Sequence, residues 1–223
     1  MLKESYMDLA LSLAEATIGQ TSPNPSVGSV VVKDGKILGM GSHLKAGEAH
    51  AEVIALQQAG EEAEGADVYV TLEPCAHFGK TPPCANLLVE QKVRKVYIAC
   101  VDPNPEVAGK GIKRLEQAGI EVEVGLREER ALEINRSFFY YMKHKRPFVT
   151  LKAAMTLDGK TATANGDSKW ITAEKAREDV HKQRALHDAI MVGSNTVKHD
   201  NPRLTTRLPQ GGKNPIRIIL DTH

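Results

Sequence analysis

The stretch VGSVVVKDGKILGMG, residues 27–41, decides the fold. Val27 to Val32 is β-branched and apolar, as a strand requires, Asp34-Gly35 is a two-residue hairpin turn, and Lys36 to Met40 returns antiparallel. Upstream, Tyr6, Leu9, Ala10, Leu13 and Ala14 recur at helical spacing, with Gly19 placed to cap that helix and Pro23 and Pro25 preventing its continuation. Downstream the pattern predicts a helix from Ala49 to Ala59 ending at Gly60, then a strand from Asp67 to Leu72 and a helix over Ala85–Gln91. A strand from Val96 to Val101, a helix ending at Gly119, a strand from Ile120 to Val124 and one long helix from Glu128 to Met142 follow. A hairpin followed by this alternation predicts an α/β/α sandwich, its sheet covered by helices on both faces.

The pattern breaks at His144-Lys145-Arg146-Pro147, a polar, proline-ended boundary between a first domain of residues 1–145 and a second of 146–223. In the second, Phe148 to Ala154 reads as a strand, Asp158-Gly159 as a turn, and Ala173 to about Leu186 as a helix N-capped by Thr172. Ala189 to Val192 and Ile216 to Leu220 read as short buried strands. These 78 residues are near the size at which one core supplies only a few kcal/mol, and they stop just after a strand, so the second domain is expected to be incomplete.

Composition narrows the class. With 41% hydrophobic and 26% charged residues in 223, the chain is neither disordered nor collagen-like. No apolar run approaches the roughly 18 residues of a membrane helix, and the N-terminus has no signal-peptide core, so a cytoplasmic location is expected. The net charge of +1 hides an asymmetry: 16 Lys and Arg face 20 Asp and Glu through Lys145, and 13 face 8 beyond it. The first part therefore lacks the basic stripe that a nucleic-acid partner would need. The second part, at +5, fits either a phosphorylated ligand or an ordinary surface, so partners have to be argued from motifs.

The chemistry concentrates in His50-Ala51-Glu52, Pro74-Cys75 and Cys84. One imidazole and two thiolates give zinc three protein ligands and leave a fourth position for water, the catalytic rather than the closed structural arrangement. Zinc lowers the pKa of such a water to about 7, and a non-ligating carboxylate two residues from the histidine can carry its proton to a leaving amine. The H-x-E…P-C-x-x-C order is the zinc deaminase signature, here with eight residues between the cysteines, among them His77 and Lys80. A closed structural zinc would need a fourth ligand, for which His77 is the near candidate. Cys100, inside a strand, reads as core.

The motifs Thr21-Ser22-Pro23-Asn24-Pro25-Ser26-Val27-Gly28, His50-Ala51-Glu52, Thr71-Leu72-Glu73-Pro74-Cys75, Lys80-Thr81-Pro82-Pro83-Cys84 and Asp102-Pro103-Asn104-Pro105 resemble one family, the bifunctional riboflavin-biosynthesis deaminase/reductases. The resemblance implies a cytidine-deaminase-like domain followed by part of a dihydrofolate-reductase-like α/β domain. It implies deamination of 2,5-diamino-6-(5-phosphoribosylamino)pyrimidin-4(3H)-one to the aminouracil, with ammonia released and the ribose then reduced by NADPH. Carried onto this chain, His50, Cys75 and Cys84 hold Zn2+ and Glu52 shuttles protons. Asn24 and Asp102 hold the pyrimidine, while His43, His77, Lys80 and Asn104 face the ribose phosphate.

The second region resembles the same family through Leu151-Lys152-Ala153-Ala154, Leu157-Asp158-Gly159-Lys160, Gly166 to Thr172, Val192 to Val197 and Asp200-Asn201-Pro202. The resemblance places Ala154, Trp170, Thr196 and Asp200 on NADPH, and Ser168, Arg184, Leu204 and Arg207 on the reductase substrate. It also implies a homo-oligomer, with neither nucleic acid nor membrane as partner. The alternatives are a nucleoside or tRNA deaminase of the same superfamily, or a non-catalytic binding domain stabilised by zinc.

Overall fold

The computed structural model describes residues 2–78, 82–104 and 107–222. The chain divides into two compact units, Met1–Phe148 and Val149–His223. Each is described by itself.

The first unit is a five-stranded sheet between two layers of helices. In chain order it runs α1 (Lys3–Glu15), β1 (Gly28–Lys33), β2 (Lys36–Ser42), α2 (Ala51–Ala59), a 3-10 turn (Gly60–Ala63) and β3 (Asp67–Val70). Then come α3 (Cys84–Glu90), β4 (Lys95–Ile98), α4 (Lys110–Gln117), β5 (Glu121–Val124), α5 (Glu128–Ile134) and α6 (Arg136–His144). The sheet order is β2-β1-β3-β4-β5. β1 is antiparallel to both neighbours, and β3, β4 and β5 are parallel. Asp34 and Gly35 both have positive φ, 50° and 76°, the mirror-image turn that suits a two-residue hairpin.

Side chains alternate across the sheet, so each strand feeds both layers. Val31, Val68, Val70, Val96 and Ile98 pack on Ala55, Leu56 and Ala59 of α2, Leu88 of α3 and Leu115 of α4. Val30, Val32 and Tyr69 face Tyr6, Met7, Ala10 and Leu11 of α1 and Ala131 of α5. On that side Tyr69 lies between Tyr6 and Tyr97, with ring centroids 5.3 and 4.5 Å away.

Small residues bring α2 almost into backbone contact with β2. A Cβ at Gly39 would sit 2.0 Å from the Ala55 carbonyl oxygen, and one at Gly41 would sit 2.2 Å from that of Ala51. This contact fixes where the first turn of α2, and therefore His50 and Glu52, stands against the sheet.

The expected long helix over Glu128–Met142 is two helices. Asn135 leaves helical geometry, with φ −106° and ψ 21°. Its backbone keeps both helical bonds, to the Ala131 carbonyl at 3.3 Å and from the Phe139 N–H at 3.0 Å, while its side chain accepts from the Ser26 N–H and donates to the Ser26 carbonyl, both at 2.8 Å.

The second unit contains α7 (Glu174–Leu186), β6 (Ala189–Gly193), α8 (Ser194–Asp200) and β7 (Ile216–Leu220). β6 and β7 form a parallel pair in register from Ala189↔Ile216 to Gly193↔Leu220. Three expectations change here. Residues 148–154 are not a strand, because they join no ladder among the described residues. The N-cap of α7 is Ala173 rather than Thr172, whose carbonyl instead accepts from the Arg177 guanidinium. β6 and β7 are apolar but not buried, with Ile216 70% and Leu220 57% exposed, since two strands and α8 supply no second covering layer among the described residues.

The close approach of α2 makes a prediction. Gly39→Ala should lower the urea midpoint of the first unit by the equivalent of about 1–3 kcal/mol, the usual cost of overpacking. Gly35→Ala meets no neighbouring atom and carries only left-handed strain, about 1–2 kcal/mol. A Gly35→Ala loss larger than that of Gly39→Ala would show that helix–strand contact is not the constraint.

Candidate metal centre and active site

The candidate centre lies where the chain leaves the C-terminal ends of β3 and β4, the usual position of a ligand crevice in an α/β sheet. His50 is the N-cap of α2, Cys75 lies in the turn after β3, and Cys84 is the first residue of α3. The His50 Nδ1 and the two sulfurs lie within 4.8 Å of one another. His50 Nδ1 is 3.2 Å from Cys84 Sγ and 3.7 Å from Cys75 Sγ. A tetrahedral zinc with Zn–S near 2.3 Å and Zn–N near 2.0 Å spaces such donors by about 3.6 Å, so nitrogen and thiolates fit that ion.

Electrostatics prepare one thiolate. The Cys84 backbone N–H donates to Cys75 Sγ at 3.3 Å. The Cys75 thiol is pushed down to about 4, first by the hydrogen bond from the Cys84 thiol and then by His50. The same bond, together with burial, pushes Cys84 up. His50 is raised mainly by its bond to Cys75. Glu52 is only 4% exposed, and burial followed by the charge of Cys75 holds its carboxyl above the usual range. The carboxyl also hydrogen-bonds Cys84. A buried carboxyl of raised proton affinity thus stands beside the donor cluster.

The surrounding residues come from two loops. In the first, Asn24 Nδ2 donates to His43 Nε2 at 3.1 Å, and His43 Nδ1 donates to the Ala49 carbonyl at 3.1 Å. His43 is 3% exposed, its ring stands edge-on to His50 at 5.3 Å, and burial lowers its pKa. Both ring nitrogens are thus engaged, Nε2 by the Asn24 amide and Nδ1 by the Ala49 carbonyl. In the second loop Asp102 is half-buried, its carboxyl raised by burial, and its Oδ1 accepts from the Asn104 N–H at 2.8 Å. His77 is exposed, and its charge acts on Asp102. Lys80 lies outside the described residues. Cys100 is buried beneath the site and donates to the Thr71 carbonyl, in keeping with a core role.

In the second unit, Arg184 and the segment from Leu204 to Arg207 come together. Arg184 Nη1 donates to the Thr205 carbonyl at 3.2 Å, and the Arg207 N–H donates to His181 Nδ1 at 3.2 Å. Burial and then Arg207 lower the Arg184 pKa, and its Nε is buried without a hydrogen-bond partner among the described residues. Leu204 is 7% exposed. A cleft of about 460 Å³ opens at the C-terminal ends of β6 and β7, lined by Gly193, Ser194, Asn195, Leu220, Asp221 and Thr222. Thr196 and Asp200 lie on α8, which starts at this cleft. Ala154, Ser168 and Trp170 precede α7, and the Arg177 guanidinium stands 4.7 Å from the centre of the exposed Trp170 ring.

Sequence reading missed Asn135, which clamps the loop carrying Asn24 through Ser26. Its signal was a short polar side chain, prone to compete for backbone hydrogen bonds, inside an otherwise continuous helical pattern.

Comparison with known proteins agrees with this layout. Residues 1–100 match the family described as the cytidine and deoxycytidylate deaminase zinc-binding region, and residues 147–223 match the RibD C-terminal domain. The chain is 58% identical over 221 residues to the riboflavin biosynthesis protein RibD of Bacillus amyloliquefaciens, covering 99% of this chain and 60% of that relative. To RibD of Aquifex aeolicus it is 54% identical, covering 99% and 62%. The structure of Acinetobacter baumannii RibD superposes with a TM-score of 0.94 at 50% identity, over 99% of this chain and 63% of that one. A Thermotoga maritima diaminohydroxyphosphoribosylaminopyrimidine deaminase/5-amino-6-(5-phosphoribosylamino)uracil reductase gives 0.92 at 48% identity, over 98% and 62%. The chain therefore spans about three fifths of the length of the curated relatives it matches.

Asn135→Ala would strand both Ser26 backbone groups in a buried setting. It should lower stability by about 2–3 kcal/mol in urea unfolding, each unsatisfied group costing on the order of 1–3 kcal/mol. A change below about 0.5 kcal/mol would show that water or another group replaces the clamp.

Proposed function

We propose that this chain, which belongs to the RibD family of riboflavin biosynthesis proteins, is in residues 1–145 a zinc-dependent hydrolytic deaminase of 2,5-diamino-6-(5-phosphoribosylamino)pyrimidin-4(3H)-one. The carrying observation is the cluster of His50, Cys75 and Cys84, with Glu52 buried against it. Three ligands rather than four suit an open, reactive site. Zinc held there supplies the Lewis acidity that makes water nucleophilic near neutral pH.

The chain's own residues do the rest. Water replaces the 2-amino group of the ring by a carbonyl, and ammonia leaves. Glu52 takes a proton from the water and passes it to the departing amine, a task helped by a carboxyl whose proton affinity burial has raised. Asn24, oriented by His43, and Asp102 grip the polar edge of the pyrimidine. His77, Lys80 and Asn104 serve the ribose phosphate, Lys80 as a point charge. The aminouracil product then suits reduction of its ribose by NADPH in a domain to which residues 146–223 contribute. There the partnerless Nε of Arg184, with Arg207 beside it, supports anion binding, with Ser168 and Leu204 completing the substrate side. The family resemblance puts the cofactor on Thr196 and Asp200 of α8, whose first residues Ser194 and Asn195 line the cleft, and on Ala154 and Trp170. No helix among the described residues is long and apolar enough to cross a membrane.

Glu52→Gln should retain full zinc by elemental analysis while ammonia release falls by about 100-fold or more, the usual weight of a general acid–base group. Turnover within a few-fold of the unsubstituted protein would reject Glu52 as the proton carrier. Cys84→Ser should lose zinc together with activity, and full zinc occupancy in that variant would overturn the ligand set.

A further inference from the structure

Among the described residues, Glu73 is the one buried carboxylate of the first unit that the deamination scheme leaves without a task. It follows β3, two residues before Cys75, and is 4% exposed. A buried carboxylate is costly unless it is fully hydrogen-bonded. Four main-chain N–H groups converge on this one. Its Oε1 accepts from Gly111 at 3.0 Å and Ile112 at 3.3 Å, and its Oε2 accepts from Gly109 at 3.0 Å and Asp102 at 3.3 Å. The Glu73 N–H itself donates to the Cys100 carbonyl at 3.0 Å.

The donors belong to two places. Gly109, Gly111 and Ile112 form the start of α4, and Asp102 follows β4, its carboxyl within electrostatic reach of Cys75 and His77. The α4 end is pressed against the same segment: a Cβ on Gly111 would lie 2.0 Å from the Pro74 carbonyl oxygen and 3.2 Å from Glu73 Oε1. One side chain therefore fastens the backbone of Asp102 and the start of α4 to the strand end that carries the Cys75 ligand. Capping α4 alone would need only the bonds from Gly109, Gly111 and Ile112. The bond to Asp102 is the one that reaches the substrate side.

We infer that Glu73 is a positioning residue for deamination, setting Asp102 at a fixed place relative to the metal cluster so that the pyrimidine edge meets the reacting water in register. The inference rests on the deaminase reading above. It also explains why a carboxylate stands here. Glutamine has the same shape but turns an NH2 group toward N–H donors, so one of the two pairs must let go.

The test compares Glu73→Gln with the unsubstituted full chain, reading zinc content and the kinetics of ammonia release from the diaminopyrimidinone phosphate. KM should rise at least tenfold while zinc stays stoichiometric. In an Asp102→Asn background the same substitution should cost less than a further threefold in kcat/KM, because the two residues act as one unit. An unchanged KM, loss of zinc, or losses that multiply in the double variant would each overturn the inference. Should Glu73→Gln not fold, Gly111→Ala pushes the same contact from the α4 side and must give the same rise in KM; an unchanged KM there overturns it equally. An unsubstituted protein that releases no ammonia from this substrate defeats the deaminase reading itself, a result distinct from all of these.

Discussion

Three side-chain donors from three separate stretches of chain have to meet within 4.8 Å, and most of the first unit can be understood as the means of bringing them there. His50 arrives on the first turn of α2, Cys75 on the exit from β3 and Cys84 on the first turn of α3. A parallel sheet presents strand exits and helix starts along one edge, so the topology supplies the meeting place before any metal chemistry is considered. The sheet must also be stiff, because thiolate and imidazole ligands tolerate little error in distance. Continuous apolar packing on both faces of β1, β3 and β4 provides that stiffness.

The polar rim is held differently. The loops around Asn24 and Asp102 have no regular structure of their own, and buried polar side chains take over the task of fixing them. Asn135 grips one loop through Ser26, His43 fixes the amide of Asn24, and Glu73 fastens the other loop. Each is a side chain whose hydrogen bonds go mostly to backbone, so the precision of the site rests on contacts far apart in sequence. Asn135 and Ser26, for instance, are separated by 109 positions.

That separation explains what could be read from the sequence and what could not. The hairpin at Asp34-Gly35, the helix closed by Gly60 and the three metal ligands are local patterns, in which a turn dipeptide, a cap or a short spacing carries the information. The break at Asn135 is not local, because its side chain is engaged by Ser26, more than a hundred residues away. His43 was legible as a polar residue near the site, but its hydrogen bonds to Asn24 and Ala49 depend on burial that spacing does not show. In the second unit the apolar character of Ile216 to Leu220 was plain, whereas its exposure depends on which elements stand over it. Helix α8 was missed because seven mostly polar residues between Gly193 and Asn201 carry no periodic signal.

The distribution of aromatic residues gives the chain a built-in optical label. All five tyrosines fall before residue 149, three of them in the Tyr6, Tyr69 and Tyr97 array, and the single tryptophan falls after it. Trp170 is 71% exposed beneath the Arg177 guanidinium, so its emission colour and intensity report a site of the second unit. The tyrosines, in contrast, all belong to the first unit, three in that array and Tyr140 and Tyr141 on α6. Excitation at the red edge, where tryptophan absorbs and tyrosine does not, therefore samples the second unit selectively in the unaltered chain, without a dye or an introduced probe.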